Sequence, residues 1–230
     1  MIGDSQTSLA LAIAFDLYEG SERSEVQRKK AGERLVRLVK QAKYRVSTGF
    51  AGTPLVLHAL SRTGHVQEAY RMLLEEGCPS WLYPVSMGAT TIWERWDSML
   101  PDGTVNPGEM TSFNHYALGS VVDWMHGVVA GLTPVEPAWK RFRVRPLPGG
   151  TITWAEARFE SPYGLVVVKW LLEEEGTKFR MGLQVPPNTE ALVVMPGEAE
   201  EEGVWLGSGV HQLVSAYEAP GEWPPKDLWT

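Results

Sequence analysis

The sequence predicts an α+β chain in two parts: a helical part over residues 1–136 and an antiparallel β-sandwich over 137–230. Three observations carry this. Apolar residues recur at helical spacing through the first part. They alternate with a period of two in the second. Between them Pro134, Pro137, Pro146 and Pro148 crowd one short stretch that reads as a junction. With 230 residues, 43% hydrophobic and 21% charged, the chain carries enough apolar surface for one large or two small packed domains.

The helical elements follow in order. Ser8 to Tyr18 is apolar nearly all round, with Asp4 or Ser5 placed to cap it, so this helix expects burial on most faces. Ser24 opens the next, with Gln27 three residues on in a capping-box pattern. Leu35, Val36, Leu38, Val39, Ala42 and Val46 form its stripe. Thr53-Pro54 reads as an N-cap followed by proline at the first helical position, and that helix stops near Gly64. Val66 to Glu76, ended by Gly77, completes an αα-hairpin. From Cys78 to Thr111 the period is lost, and a long irregular stretch in a compact domain points to function. Ser112 is placed to cap a last helix that runs to Val129 and stops at Gly131, which puts His115 in its first turn. Such hairpins fit either a small bundle or part of a larger ring of αα-hairpins.

In the second part, Leu165–Leu172, Phe179–Val185, Ala191–Met195 and Val210–Tyr217 read as strands. Ser161–Gly164 and Glu173–Gly176 are the turns.

Composition excludes several classes of function. The net charge is −7 and neither part has a basic excess, so no nucleic-acid partner is expected. Apolar runs fall short of a membrane span, and no membrane partner is expected. The N-terminal Met1–Gln6 lacks a basic start before an apolar core, so a cytoplasmic location is expected. The single cysteine, Cys78, has no partner for an internal disulfide and reads as a buried or partly buried thiol. The histidines and acids show no ligand spacing, so no metal and no cofactor is expected.

The ten tryptophans are more than packing requires. Three of them, Trp81, Trp93 and Trp96, share the irregular stretch with Tyr83, Glu94, Arg95 and Asp97. Indole rings stack on the C–H faces of sugars, while carboxylates and Arg bind the hydroxyls, so the stretch reads as a carbohydrate site. The alternative is that these rings plug the end of the helical part, with Glu94 salt-bridged to Arg95. Asp97 and Asp102 read as loop-ordering or sugar-contacting groups.

The segments GATTIWERWDS (Gly88–Ser98), PSWLYPV (Pro79–Val85), SFNHYALGSV (Ser112–Val121) and TGFAGTPLVLHALS (Thr48–Ser61) resemble the bacterial α-L-rhamnosidases of glycoside hydrolase family 78. ESPYG (Glu160–Gly164) and PPNTEALVVMP (Pro186–Pro196) are similar to the C-terminal β-sandwich of that family. The resemblance implies the later part of an (α/α)6 barrel, a partial barrel of αα-hairpins, followed by the sandwich. It implies hydrolysis of terminal α-L-rhamnosides with inversion, which needs two carboxyl groups about 6.5–9.5 Å apart, one acid and one base. Glu94 matches the general base, His115 a sugar contact, and Trp81 and Trp93 aromatics of the pocket. The acidic, Arg-containing segment that bears the general acid has no counterpart here, and residues 1–136 are too few for twelve helices. The chain therefore reads as a C-terminal fragment carrying the base without the acid. The alternative is a non-catalytic carbohydrate-binding or interaction fragment. The expected partners are rhamnose-containing glycosides, together with self-association or a partner chain across the open half-barrel.

Overall fold

A computed structural model describes residues 3–18 and 24–228; Met1 and Ile2, read above for a leader, lie outside the described residues. Two compact units divide between Val122 and Asp123, and the segment from Gly221 onward returns to the first.

The first unit is built from helical hairpins. In α1 (Gln6–Ala14) the Ser5 hydroxyl accepts from the Ser8 backbone, and Ser8 returns the bond to Ser5, closing a capping box. Leu9, Ala10, Ala12 and Ile13 are buried, as an all-round apolar helix requires, and α1 packs on both α2 (Ser24–Gln41) and α3 (Thr53–Arg62). Helix α2 is described from Ser24, so a cap before it falls outside the described residues; Leu35, Val36 and Val39 face the core. It ends at Gln41, short of the predicted stripe, because Lys43 and Tyr44 take left-handed backbone (φ 55° and 60°) and turn the chain out. Thr53 lies one residue inside α3 rather than at its cap, which is Gly52; its buried hydroxyl bonds the Thr48 hydroxyl at 2.8 Å. Gly64 at φ +83° turns the chain into α4 (Val66–Leu73), which packs against α3.

The segment read as irregular holds one short helix, α5 (Leu82–Ser86). The helix expected from Ser112 is interrupted. The Ser112 carbonyl, which would accept the first bond of a helix, accepts from the Glu94 N–H instead, and helical structure starts only with a 3₁₀ turn at Ala117–Ser120, then α6 (Val121–Trp124) and a π turn at Met125–Val129. His115 therefore lies before the helical turns and not in a first turn.

Among the described residues of the second unit, eight strands make two four-stranded sheets. One has the order β1 (Leu132–Pro134), β2 (Arg141–Val144), β6 (Glu190–Val193), β7 (Val204–Leu206). The other has the order β3 (Trp154–Ser161), β4 (Gly164–Glu173), β5 (Lys178–Val185), β8 (Gly209–Ala216). All pairings are antiparallel except that of β2 with β6. Val166, Val168 and Trp170 of β4 lie beside Phe179, Met181 and Leu183 of β5, all buried, which is the period-two pattern seen in the sequence. Trp170 donates its indole N–H to the Val129 carbonyl at 2.8 Å.

Among the described residues no helix is long and apolar enough to cross a membrane. No group of three His, Cys, Asp or Glu is placed to hold a metal.

Candidate functional site

The segment Ile92–Glu94 is held against Ser112–His115 by backbone bonds: Glu94 N to Ser112 O at 2.8 Å and His115 N to Ile92 O at 2.8 Å. The Thr91 hydroxyl donates to the Phe113 carbonyl. This lacing explains why Ser112 caps no helix. Its N–H donates to Glu94 Oε2 at 3.2 Å, which anchors one oxygen of that carboxylate. Among the described residues Glu94 makes no ion pair, and Oε1 has no protein hydrogen bond. It is half-buried and lines a cleft of about 500 Å3 with Phe50, Trp96, Met110 and the polar Arg95, Asp97 and Glu109.

The partner of Arg95 is Asp97, not Glu94. Nε and Nη2 of Arg95 reach the two Asp97 oxygens at 2.7 and 3.2 Å, a bidentate fork. That bond holds the Arg95 guanidinium above its ordinary pKa. Asn106 Nδ2 adds a bond to Asp97 Oδ2 at 2.9 Å. Asp102 orders the next turn by accepting from the Thr104 hydroxyl and backbone, which lowers its carboxyl.

Trp81 and Trp93 are buried and line a second, mostly apolar cavity of about 260 Å3; Trp96 and Leu118 belong to both spaces. The Trp81 indole N–H is committed to the Leu118 carbonyl at 3.0 Å, and its ring meets Trp96 edge-on at 5.5 Å. Trp93 meets Phe113 edge-on at 5.2 Å. His115 is sandwiched by near-parallel rings, Phe50 and Tyr116, each 5.1 Å away. Its Nδ1 accepts from the Ala117 N–H at 3.3 Å, so the neutral ring carries its proton on Nε2 and presents a donor there. Glu94 is thus on the cleft walled by Phe50 and Trp96, His115 touches that cleft through Phe50, and the two tryptophans line the neighbouring cavity that shares Trp96. Trp96, one of the three tryptophans of the irregular stretch, lines the cleft, as do Phe50 and Glu109, which sequence reasoning did not single out. Phe50 falls inside a quoted motif, but glycine and alanine flank it and no acid beside it marks it. Burial raises the Cys78 thiol pKa, in keeping with a half-buried, unpaired cysteine.

Helical hairpins that present an acid among aromatic rings, followed by a β domain, go with the six-hairpin class of fold that the family models identify. Residues 1–129 match the bacterial alpha-L-rhamnosidase 6 hairpin glycosidase domain, and residues 131–208 match the bacterial alpha-L-rhamnosidase C-terminal domain. The chain belongs to the bacterial α-L-rhamnosidase family. It is 43% identical over 196 residues to an alpha-L-rhamnosidase of Streptomyces avermitilis, covering 85% of this chain and 18% of that protein. A Formosa agariphila alpha-L-rhamnosidase is 39% identical, with 86% and 20% covered. Among solved structures, the native Aspergillus terreus α-L-rhamnosidase superposes with a TM-score of 0.86 at 49% identity, covering 93% of this chain and 24% of that one. The Streptomyces avermitilis enzyme complexed with L-rhamnose gives 0.83 at 39%, covering 92% and 22%. The chain thus spans about a fifth of the length of the curated relatives it matches.

Proposed function

We propose that this chain carries the general-base side of an inverting α-L-rhamnosidase site. One observation supports this above the others: Glu94 has one oxygen anchored by Ser112 N–H and the other unpaired on a cleft walled by Phe50 and Trp96. In this reading Glu94 takes a proton from a water molecule as that water attacks the anomeric carbon of a terminal rhamnose. The sugar–oxygen bond breaks on the opposite face, and a second carboxyl group protonates the leaving oxygen. His115 Nε2–H donates to a sugar hydroxyl, and Trp96 offers a ring to the sugar's C–H face. Trp81 and Trp93 support that wall from behind. In this reading the helical unit is the barrel part and the β unit, whose first strand β1 lies before residue 137, is the sandwich. The proton donor belongs to sequence other than residues 1–230.

A non-catalytic, sugar-binding role is the second reading, favoured because one other carboxyl on the cleft, Asp97, is engaged by Arg95 and Asn106. An aryl α-L-rhamnoside separates the two. Turnover that disappears in Glu94→Gln supports the hydrolase. L-Rhamnose binding without turnover supports the binding role.

The partner expected across the open half-barrel is, in this reading, a second copy of the chain. Phe15, Leu17 and Val26 are 65%, 65% and 53% exposed on segments that the Arg28–Asp16 ion pair ties together. Sedimentation of a dimer supports this, and a monodisperse monomer overturns it.

A further inference from the structure

Glu94 owes its anchor to a backbone N–H that lies eighteen residues further along the chain, on a loop with no helix or strand of its own. Something must hold that loop in place. The bonds trace a path. The Ser98 amide and hydroxyl both donate to the Arg95 carbonyl, at 3.3 and 3.0 Å, and close a tight turn just after Glu94. Ser98 is completely buried. Asn106 joins the returning strand of the loop to this turn: its N–H donates to Ser98 O at 2.9 Å, and its Nδ2 donates to Asp97 O and Oδ2 at 3.1 and 2.9 Å. Arg95, locked in its fork by Asp97, donates from Nη1 to the Glu109 carbonyl at 3.2 Å. Gly108 passes so close to that guanidinium that an added Cβ would stand 2.6 Å from Nη1. Three residues beyond Glu109 comes Ser112.

We infer that Arg95, Asp97 and Asn106 act as positioning residues for Glu94, clipping the 106–110 segment so that Ser112 N–H meets the carboxylate. This rests on the reading of Glu94 as the base, but the clip has a consequence that needs no substrate. An ion pair with side chains 35% and 37% exposed adds little to global stability, so its contribution is geometric. Lys in place of Arg95 keeps the charge but cannot reach two Asp97 oxygens and a carbonyl together. Alanine at Gly108 keeps every charge and pushes the guanidinium aside.

The test is the backbone amide of Ser112 in the ¹⁵N-labelled full chain, followed by NMR through the carboxylate titration range. In the wild type this amide is expected to shift with pH, and Glu94→Gln is expected to abolish the shift. Arg95→Lys and Gly108→Ala are each expected to abolish it as well, with the amides of the β unit unchanged. A retained Ser112 titration in either variant overturns the inference, and so does its absence from the wild type. If Arg95→Lys does not fold, Gly108→Ala alone decides. The Glu94→Gln turnover experiment tests the catalytic reading separately, so either idea can fail without the other.

Discussion

At the level of single residues, stability turns on buried polar groups that meet a protein partner and on close backbone contacts that leave no room for a side chain. Trp170 is fully buried and its N–H meets the Val129 carbonyl at 2.8 Å. Trp170→Phe removes that donor, leaves the carbonyl unpaired and opens a space beside Phe179. We expect a loss of about 2–3 kcal/mol, read from denaturant unfolding of the β unit. Gly131 makes a sharper case. It sits at φ +80°, and a Cβ there would lie 2.2 Å from the Pro146 backbone nitrogen. Neither the angle nor a backbone neighbour can yield cheaply, so Gly131→Ala is expected to cost about 3 kcal/mol or more in the same measurement. An effect below about 1 kcal/mol would mean that the two segments separate easily.

At the scale of elements, close approach outweighs propensity. Gly32 lies within α2, where alanine is ordinarily favoured by about 1 kcal/mol. A Cβ at this position would stand 2.5 Å from the Thr63 Cβ at the end of α3. Gly32→Ala should therefore destabilise the helical unit, by about 1–2 kcal/mol in thermal or chemical unfolding. The turn after α2 makes a second prediction. Tyr44 is buried, and its hydroxyl donates to the carbonyls of Pro225 and Lys226, tying the C-terminal segment to this unit. Burial pushes its phenol up to about 12 from an ordinary 10. The folded chain thus holds this proton more tightly than the unfolded chain. The stabilisation is complete below pH 10 and drains away as the pH rises toward 12. Tyr44→Phe should flatten the fall of stability over that window; an unchanged alkaline slope would refute it. The same elements show how much could be read in advance. Helices α1 to α4 were legible because Leu35, Val36 and Val39, or Val56, Leu57 and Leu60, repeat at helical spacing beside Ser, Gly and Pro signals. Strands β4 and β5 were legible from strict alternation. The helix expected from Ser112 failed because Ser112 bonds Glu94, a contact eighteen residues distant that no local pattern reveals. Strands β1 and β2 lay hidden among four prolines. Strand β3 alternates through Ala155, Ala157 and charged residues that carry little strand preference. At the site, the acid, the imidazole and the tryptophans were legible as types. Which cavity each one faces depended on Trp96 standing between them.

At the scale of the whole molecule, the chemistry depends on how many carboxyl groups the cleft can free. Glu94, Asp97 and Glu109 line it. Asp97 is held by Arg95 and Asn106, so its oxygens are committed to protein donors. In the proposed mechanism the base lies within this chain and the acid outside it. That division has a kinetic signature. General-acid help matters most when the departing oxygen is strongly basic and hardly at all when it leaves as a stabilised phenolate. With only the base present, the chain should cleave 2,4-dinitrophenyl α-L-rhamnoside, cleave the 4-nitrophenyl compound much more slowly, and leave an alkyl rhamnoside untouched. Glu94→Gln should abolish the activity on the dinitrophenyl compound, because base assistance is still required there. Glu109→Gln should leave it unchanged. Rates that hardly vary with the leaving group would show that these 230 residues contain a working proton donor. A collapse in Glu109→Gln confined to the poorer leaving groups would identify that donor as Glu109.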